Sequence, residues 1–171
     1  MIHRDPADAL VRAFKYQGWQ RLAGFMAARM TPLLAELDAP PGCPLVPIPS
    51  TPGRLRSRGF NPAEQIARAL VAGLPEQVRP PVHELLLRPR ETPRQVGLSP
   101  EERRANVRDA FVPVADLDGV RGDLVLIDDV FTTGATAVAA AEALAEASDV
   151  QVHVLTFARA IPELPAGDDP S

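Results

Sequence analysis

Two adjacent carboxylates, Asp128 and Asp129, are followed after Val130 and Phe131 by Thr132-Thr133-Gly134-Ala135-Thr136. Carboxylates accept hydrogen bonds from a diol or ligate a hard cation, whereas hydroxyls and backbone amides donate to phosphate. The acids follow four apolar residues, Leu124, Val125, Leu126 and Ile127, a run suited to a buried parallel strand and too short for a helix. The alanine-rich stretch 137–148 comes next and favours helix. The segment therefore reads as strand, loop, helix. In that arrangement loop amides and the positive helix N-terminus converge beyond the strand's C-terminal edge, where α/β proteins place ligands. Gly134 lets the backbone approach an anion, and Thr132, Thr133 and Thr136 add hydroxyls. The pattern predicts a phosphate cradle beside two acids. Its plainer alternative is a buried strand ending on an aspartate pair before an N-capped helix. P-loops and dinucleotide loops use other glycine spacings.

A chain of 171 residues suits one domain, expected over 1–160, and can bury roughly 70% of its unfolded surface. Cys43 is the sole cysteine, which excludes an internal disulfide framework or a cysteine-rich zinc site and suits a reducing, cytoplasmic setting. No apolar run reaches transmembrane length, so no membrane insertion is expected, and the N-terminus lacks the apolar core of a signal peptide.

Charge is unevenly divided. Residues 54–108 carry eleven arginines against six glutamates, whereas 109–171 carry two arginines against twelve acids. The middle segment is thus suited to polyanions, or it is simply a solvated arginine-rich face.

Other elements must position the acids. Asp5 and Pro6 open a first helix, with Leu10, Val11 and Phe14 on one face, ending at Lys15-Tyr16-Gln17-Gly18. A second helix is predicted over 20–37, with Leu22, Phe25, Met26, Met30, Leu33 and Leu34 as its core stripe. Residues 45–49 read as a strand, followed by a basic loop over 50–59 with Ser50, Thr51, Arg54, Arg56 and Arg58. Asn61 and Glu64 read as a capping box, opening a helix with Ile66, Ala67, Leu70 and Val71 inward. Strands are predicted over 84–88 and 110–114. The polar excursion between them, about 89–108, is long enough to be a lid or binding loop. A last strand is expected over 150–158, and 161–171, rich in proline and acid, reads as a loose tail. Alternating strands and helices with basic junctions indicate a parallel α/β sheet.

The strand, the acid pair and Thr132 to Thr136 resemble the phosphoribosyl diphosphate (PRPP) motif of type I phosphoribosyltransferases. The resemblance implies a type I phosphoribosyltransferase-like fold with a parallel-dominated central sheet flanked by helices. It further implies that Asp128 and Asp129 hold the ribose hydroxyls, directly or through Mg²⁺ and its waters, and that Thr132, Thr133, Gly134, Ala135 and Thr136 wrap the 5′-phosphate. Ser50, Thr51, Arg54 and Arg58 would face the pyrophosphate, which bidentate guanidinium groups suit. Arg94, Gln95, Ser99, Arg103 and Arg104 would belong to the hood that closes over PRPP and excludes water. Lys15-Tyr16-Gln17-Gly18, Val46-Pro47-Ile48-Pro49, Arg58-Gly59-Phe60-Asn61, Gln95-Val96-Gly97-Leu98-Ser99 and Arg103-Arg104-Ala105-Asn106-Val107 together resemble the ComF family of competence-associated, phosphoribosyltransferase-like proteins. That narrower resemblance covers residues 9–159. It implies handling of incoming single-stranded DNA during natural transformation, as partner of a competence helicase. Family members usually carry a four-cysteine zinc ribbon before the Lys-Tyr-Xaa-Gly helix; with only Cys43, these residues hold no zinc site.

Pyrophosphate displacement from PRPP needs the leaving-group charge neutralised and a nucleophile held in line. Mg²⁺ and the arginines are candidates for the first. No base for the acceptor is evident: where purine-salvage enzymes place an aspartate, two positions before the motif glycine, stands Thr132, a poor general base. Three readings stay open. They are a phosphoribosyltransferase with an unidentified acceptor, a PRPP-binding module without turnover, and a nucleic-acid adaptor meeting phosphates through its arginines, whose binding must weaken with salt.

Overall fold

The computed structural model describes residues 6–16, 20–89, 110–114, 117 and 120–159. Strand β4, Arg121–Phe131, is its axis. It pairs in parallel with β1, Leu45–Pro47, on one side and with β5, Asp149–Arg159, on the other, giving the order β1-β4-β5. The registers set Val46 beside Leu126 and Leu126 beside Val154. Outside β1, Val82 adds one parallel bridge to Leu45.

Leu124, Val125, Leu126 and Ile127 are all fully buried because helices cover both faces of the sheet. Side chains alternate along a strand. Val125 and Ile127 therefore join Leu45, Phe14, Met26, Met30, Ile66 and Leu70 on one face. These come from α1 (Pro6–Tyr16), α2 (Leu22–Glu36) and α4 (Pro62–Gly73). Leu124 and Leu126 join Val46, Ala140 and Leu144 on the other, beneath α5, Ala135–Ala147. Each large apolar side chain so buried contributes about 1.5–3 kcal/mol. A two-stranded antiparallel pair, β2 (Leu86–Leu87) with β3 (Val112–Pro113), borders this second core. Among the described residues no helix is long and apolar enough to cross a membrane.

Several expectations are corrected. The basic stretch 50–59 is not all loop: Pro52–Arg58 forms helix α3, capped by Thr51, whose Oγ1 accepts from Arg54 N at 3.4 Å, and closed by Gly59 at φ 80°. Thr51, Pro52 and Gly59 are ordinary start and stop signals. The predicted strands over 45–49, 84–88 and 110–114 shrink to Leu45–Pro47, Leu86–Leu87 and Val112–Pro113. Pairing with a neighbour, more than apolar character, sets strand length. In α2, Met26 and Met30 are buried, but Phe25 and Leu33 are 44% and 46% exposed. Neighbours along a helix are rotated by about 100°, so with Met26 and Met30 inward Phe25 is turned outward, where Arg29 stacks on it at 5.1 Å; the exposure of Leu33 does not follow from helical spacing. The second half of the Lys15-Tyr16-Gln17-Gly18 stop, the hood over 90–108 and the tail over 161–171 lie outside the described residues.

Candidate functional site

The strand does not stop at the acids, as its apolar run suggests. Asp128, Val130 and Phe131 stay registered with Thr156, Ala158 and Arg159 of β5. Pairing with β1, by contrast, ends at Pro47 beside Ile127, with one further bond from Ile48 N to Ile127 O at 3.0 Å. The two chains then diverge. After β1 the chain enters α3 and α4, and α4 packs on one face, while after β4 it enters α5 on the other. Adjacent parallel strands whose following helices take opposite faces leave a crevice beyond their C-terminal ends. Here it is a cleft of about 670 Å³.

Asp128 and Asp129 form part of its floor. Asp129 is only 4% exposed, and its Oδ2 lies 2.8 Å from Lys15 Nζ, which reaches in from the last turn of α1. Asp128 Oδ1 accepts from the Asp129 amide at 2.8 Å. Burial, with the neighbouring Asp129 charge adding to it, pushes the Asp128 carboxyl up to about 7. The folded protein thus holds a proton at Asp128 that the unfolded chain releases near pH 4. The corresponding stability is fully present below pH 4 and is lost as pH rises to about 7. Asp128→Asn keeps the acceptor oxygen and removes the charge. It is expected to raise the melting temperature at pH 8 by about 2–4 °C, equivalent to roughly 1 kcal/mol, and to flatten the loss of stability between pH 4 and 7. Thermal melts across pH check both effects.

The turn after β4 is held by Gly134 at φ 78°, a left-handed conformation that glycine adopts without strain. The first helical bond runs from Val138 N to Gly134 O at 2.9 Å, and Thr133 Oγ1 accepts from Ala135 N at 3.4 Å. A Cβ on residue 134 would lie 2.6 Å from Phe131 Cζ, so the Phe131 ring packs directly against the turn. Arg159 stacks on that ring at 5.8 Å. Thr132 and Thr136 face the cleft.

Ser50, Arg54 and Arg58 form part of the opposing wall. Arg58 Nη2 donates to the Tyr16 hydroxyl at 2.9 Å, and its guanidinium stacks on the Tyr16 ring at 4.8 Å. The capping box expected at Asn61 and Glu64 is not formed. Asn61 Nδ2 donates to Ile48 O at 3.1 Å and its Oδ1 accepts from Ser50 Oγ at 3.2 Å, bracing the exit of β1. Glu64 pairs instead with Arg68 at 2.9 Å. Asn61 therefore gives α4 no side-chain cap; the tertiary brace takes its amide.

Of the residues expected at a site, Ser50, Arg54, Arg58, Asp128, Asp129, Thr132 and Thr136 line this one cleft. Thr51 is 1% exposed and caps α3. Thr133, Gly134 and Ala135 shape the turn beside the cleft. Arg94, Gln95, Ser99, Arg103 and Arg104 lie outside the described residues. Sequence reasoning did not assign Arg12, Lys15, Tyr16, Asn61 and Arg88 to the site, although they also line the cleft. The available signals were that Lys15 is the only lysine in an arginine-rich chain and that Lys15, Tyr16 and Asn61 stand in two of the motifs that carry the ComF resemblance.

Hard carboxylate oxygens suit a divalent cation such as Mg²⁺. No group of three His, Cys, Asp or Glu among the described residues is placed to hold a metal. The two carboxylates at the cleft would suit an ion that takes one or two carboxylates and completes its shell with phosphates and water, the habit of Mg²⁺.

A parallel sheet flanked by helices, with an open cleft at its C-terminal edge, is compatible with a phosphoribosyltransferase-like fold. No family model matches the chain. It is 29% identical over 163 residues to "Competence protein F" of Haemophilus influenzae, covering 91% of this chain and 69% of the relative. That likeness supports assignment to the ComF family.

Proposed function

We propose that the cleft binds PRPP or a closely related ribose phosphate together with Mg²⁺, in the service of a competence-related role. One observation carries the reading. The acid pair, the threonine-glycine turn and the arginines of α3 come from separate segments and meet in one open cleft at the switch between β1 and β4. In this reading the phosphate sits against Thr132 to Thr136, where amides and hydroxyls donate. The ribose diol meets Asp128 and Asp129, and the diphosphate extends toward Arg54 and Arg58. When bound, the cation would neutralise diphosphate charge, held by the carboxylates and the phosphates themselves. The name of the relative supports the competence-related role; handling of incoming single-stranded DNA beside a competence helicase is the specific form we propose for it. A cytoplasmic location belongs to the same reading and fits the single free Cys43.

Titration calorimetry of PRPP with and without Mg²⁺ tests the binding. Micromolar affinity that requires Mg²⁺ and is lost in Asp129→Asn is expected, and a flat titration at millimolar PRPP would overturn it. Thr132, standing where an aspartate would serve as general base, favours binding without turnover as the second reading. Pyrophosphate release above the no-enzyme rate would decide for catalysis.

A further inference from the structure

Asp129 is almost inaccessible to water, yet a cation already stands beside it: the Lys15 ammonium, 2.8 Å from Oδ2, with 20% of the lysine side chain exposed to the cleft. A buried carboxylate needs such a partner, because desolvation of an unpaired charge is expensive. Lys15 comes from α1, the element farthest in sequence from the motif, and is the only lysine in the chain. An ammonium is a compact point charge with rotatable donors on a flexible stem, so it can leave one anion for another without moving the backbone.

We propose that Lys15 is the resident counter-ion of Asp129, occupying the position beside the carboxylate that a divalent cation would otherwise take, and that it moves to the phosphates when a polyanionic sugar phosphate enters. The cleft then admits a divalent ion together with a ligand that carries several negative charges, and disfavours the bare ion. A neutral sugar, or a monoanion too weak to draw the ammonium away, leaves the pair closed. This inference deepens the PRPP reading and rests on it for the identity of the ligand, but the exclusion of the bare ion is a property of the protein alone.

Mn²⁺, followed by electron paramagnetic resonance as a stand-in for Mg²⁺, separates the two. Without sugar phosphate, wild type and Lys15→Arg are expected to bind Mn²⁺ weakly. Lys15→Met and Lys15→Gln, which leave both carboxylates uncompensated, are expected to bind it roughly tenfold more tightly or better, as one nearby positive charge is removed. Adding PRPP should tighten Mn²⁺ binding to wild type and should change it far less in Lys15→Met. Equal Mn²⁺ affinity in wild type and both neutral variants would overturn the proposal. Wild type indifferent to PRPP while the neutral variants still gain Mn²⁺ affinity would overturn the PRPP reading and leave the counter-ion role standing. Glutamine is polar and can satisfy Asp129 by hydrogen bonding, which guards the comparison against loss of fold in the methionine variant.

Discussion

Gly134→Val is expected to abolish sugar-phosphate binding and to cost roughly 2–5 kcal/mol of stability, the sum of backbone strain and overpacking. Two independent effects converge on this residue. Its φ of 78° is strained for any L side chain and most of all for a β-branched one. The added Cβ would also meet the Phe131 ring at 2.6 Å. Phe131 cannot simply yield, because it belongs to β4, paired with Arg159, and packs against the second core. The turn must therefore move, and with it the amides and hydroxyls of Thr132 to Thr136. Chemical denaturation checks the stability and calorimetry with PRPP the binding. Val138→Ala serves as the control: it lies one turn further along α5 and is 52% exposed, so a change within about 0.5 kcal/mol is expected. Unchanged affinity in folded Gly134→Val would show that the turn does not cradle the ligand.

Ile127→Ala is expected to cost about 2–5 kcal/mol, the range for truncating a buried isoleucine to alanine. Ile127 is fully buried in the core it shares with Leu45, Phe14, Met26 and Ile66, and α4 and β1 pack directly against its strand. It is also the last β4 residue paired with β1, and its carbonyl accepts the bond from Ile48 N that precedes the divergence of the two strands. Loosening this point should release the floor under Asp128 as well as the core. Denaturant melts should show the full loss, with a fall in PRPP affinity even under conditions where the variant remains folded. A loss below about 1 kcal/mol would mean that the core closes over the cavity and that the register of β4 does not depend on this contact.

The two effects differ in what made them foreseeable. The β4, turn and α5 unit was legible from residue order alone, because four apolar residues, two acids, a threonine-glycine turn and an alanine run each favour their own local conformation. Thr51, Pro52 and Gly59 carried equally local signals for α3 that the run of arginines around them obscured. Asn61 shows the opposite case: its position invited a helix cap, but Ile48 and Ser50 were closer to hand in space, and a tertiary hydrogen bond took its amide.

Local preference also left the lengths of β1, β2 and β3 open, since a strand extends only as far as a partner runs beside it. The cleft itself is a product of topology, arising where β1 outgoes toward one face and β4 toward the other. Lys15 is the clearest instance. Nothing in the helix ending at Tyr16 indicates a carboxylate on a distant strand; only packing of α1 over the sheet brings the ammonium to Asp129. The residue order determined which chemistry the central segment could carry, because side-chain type and backbone preference are local. The tertiary structure decided which distant charges surround that segment, because those depend on how separate elements share one core.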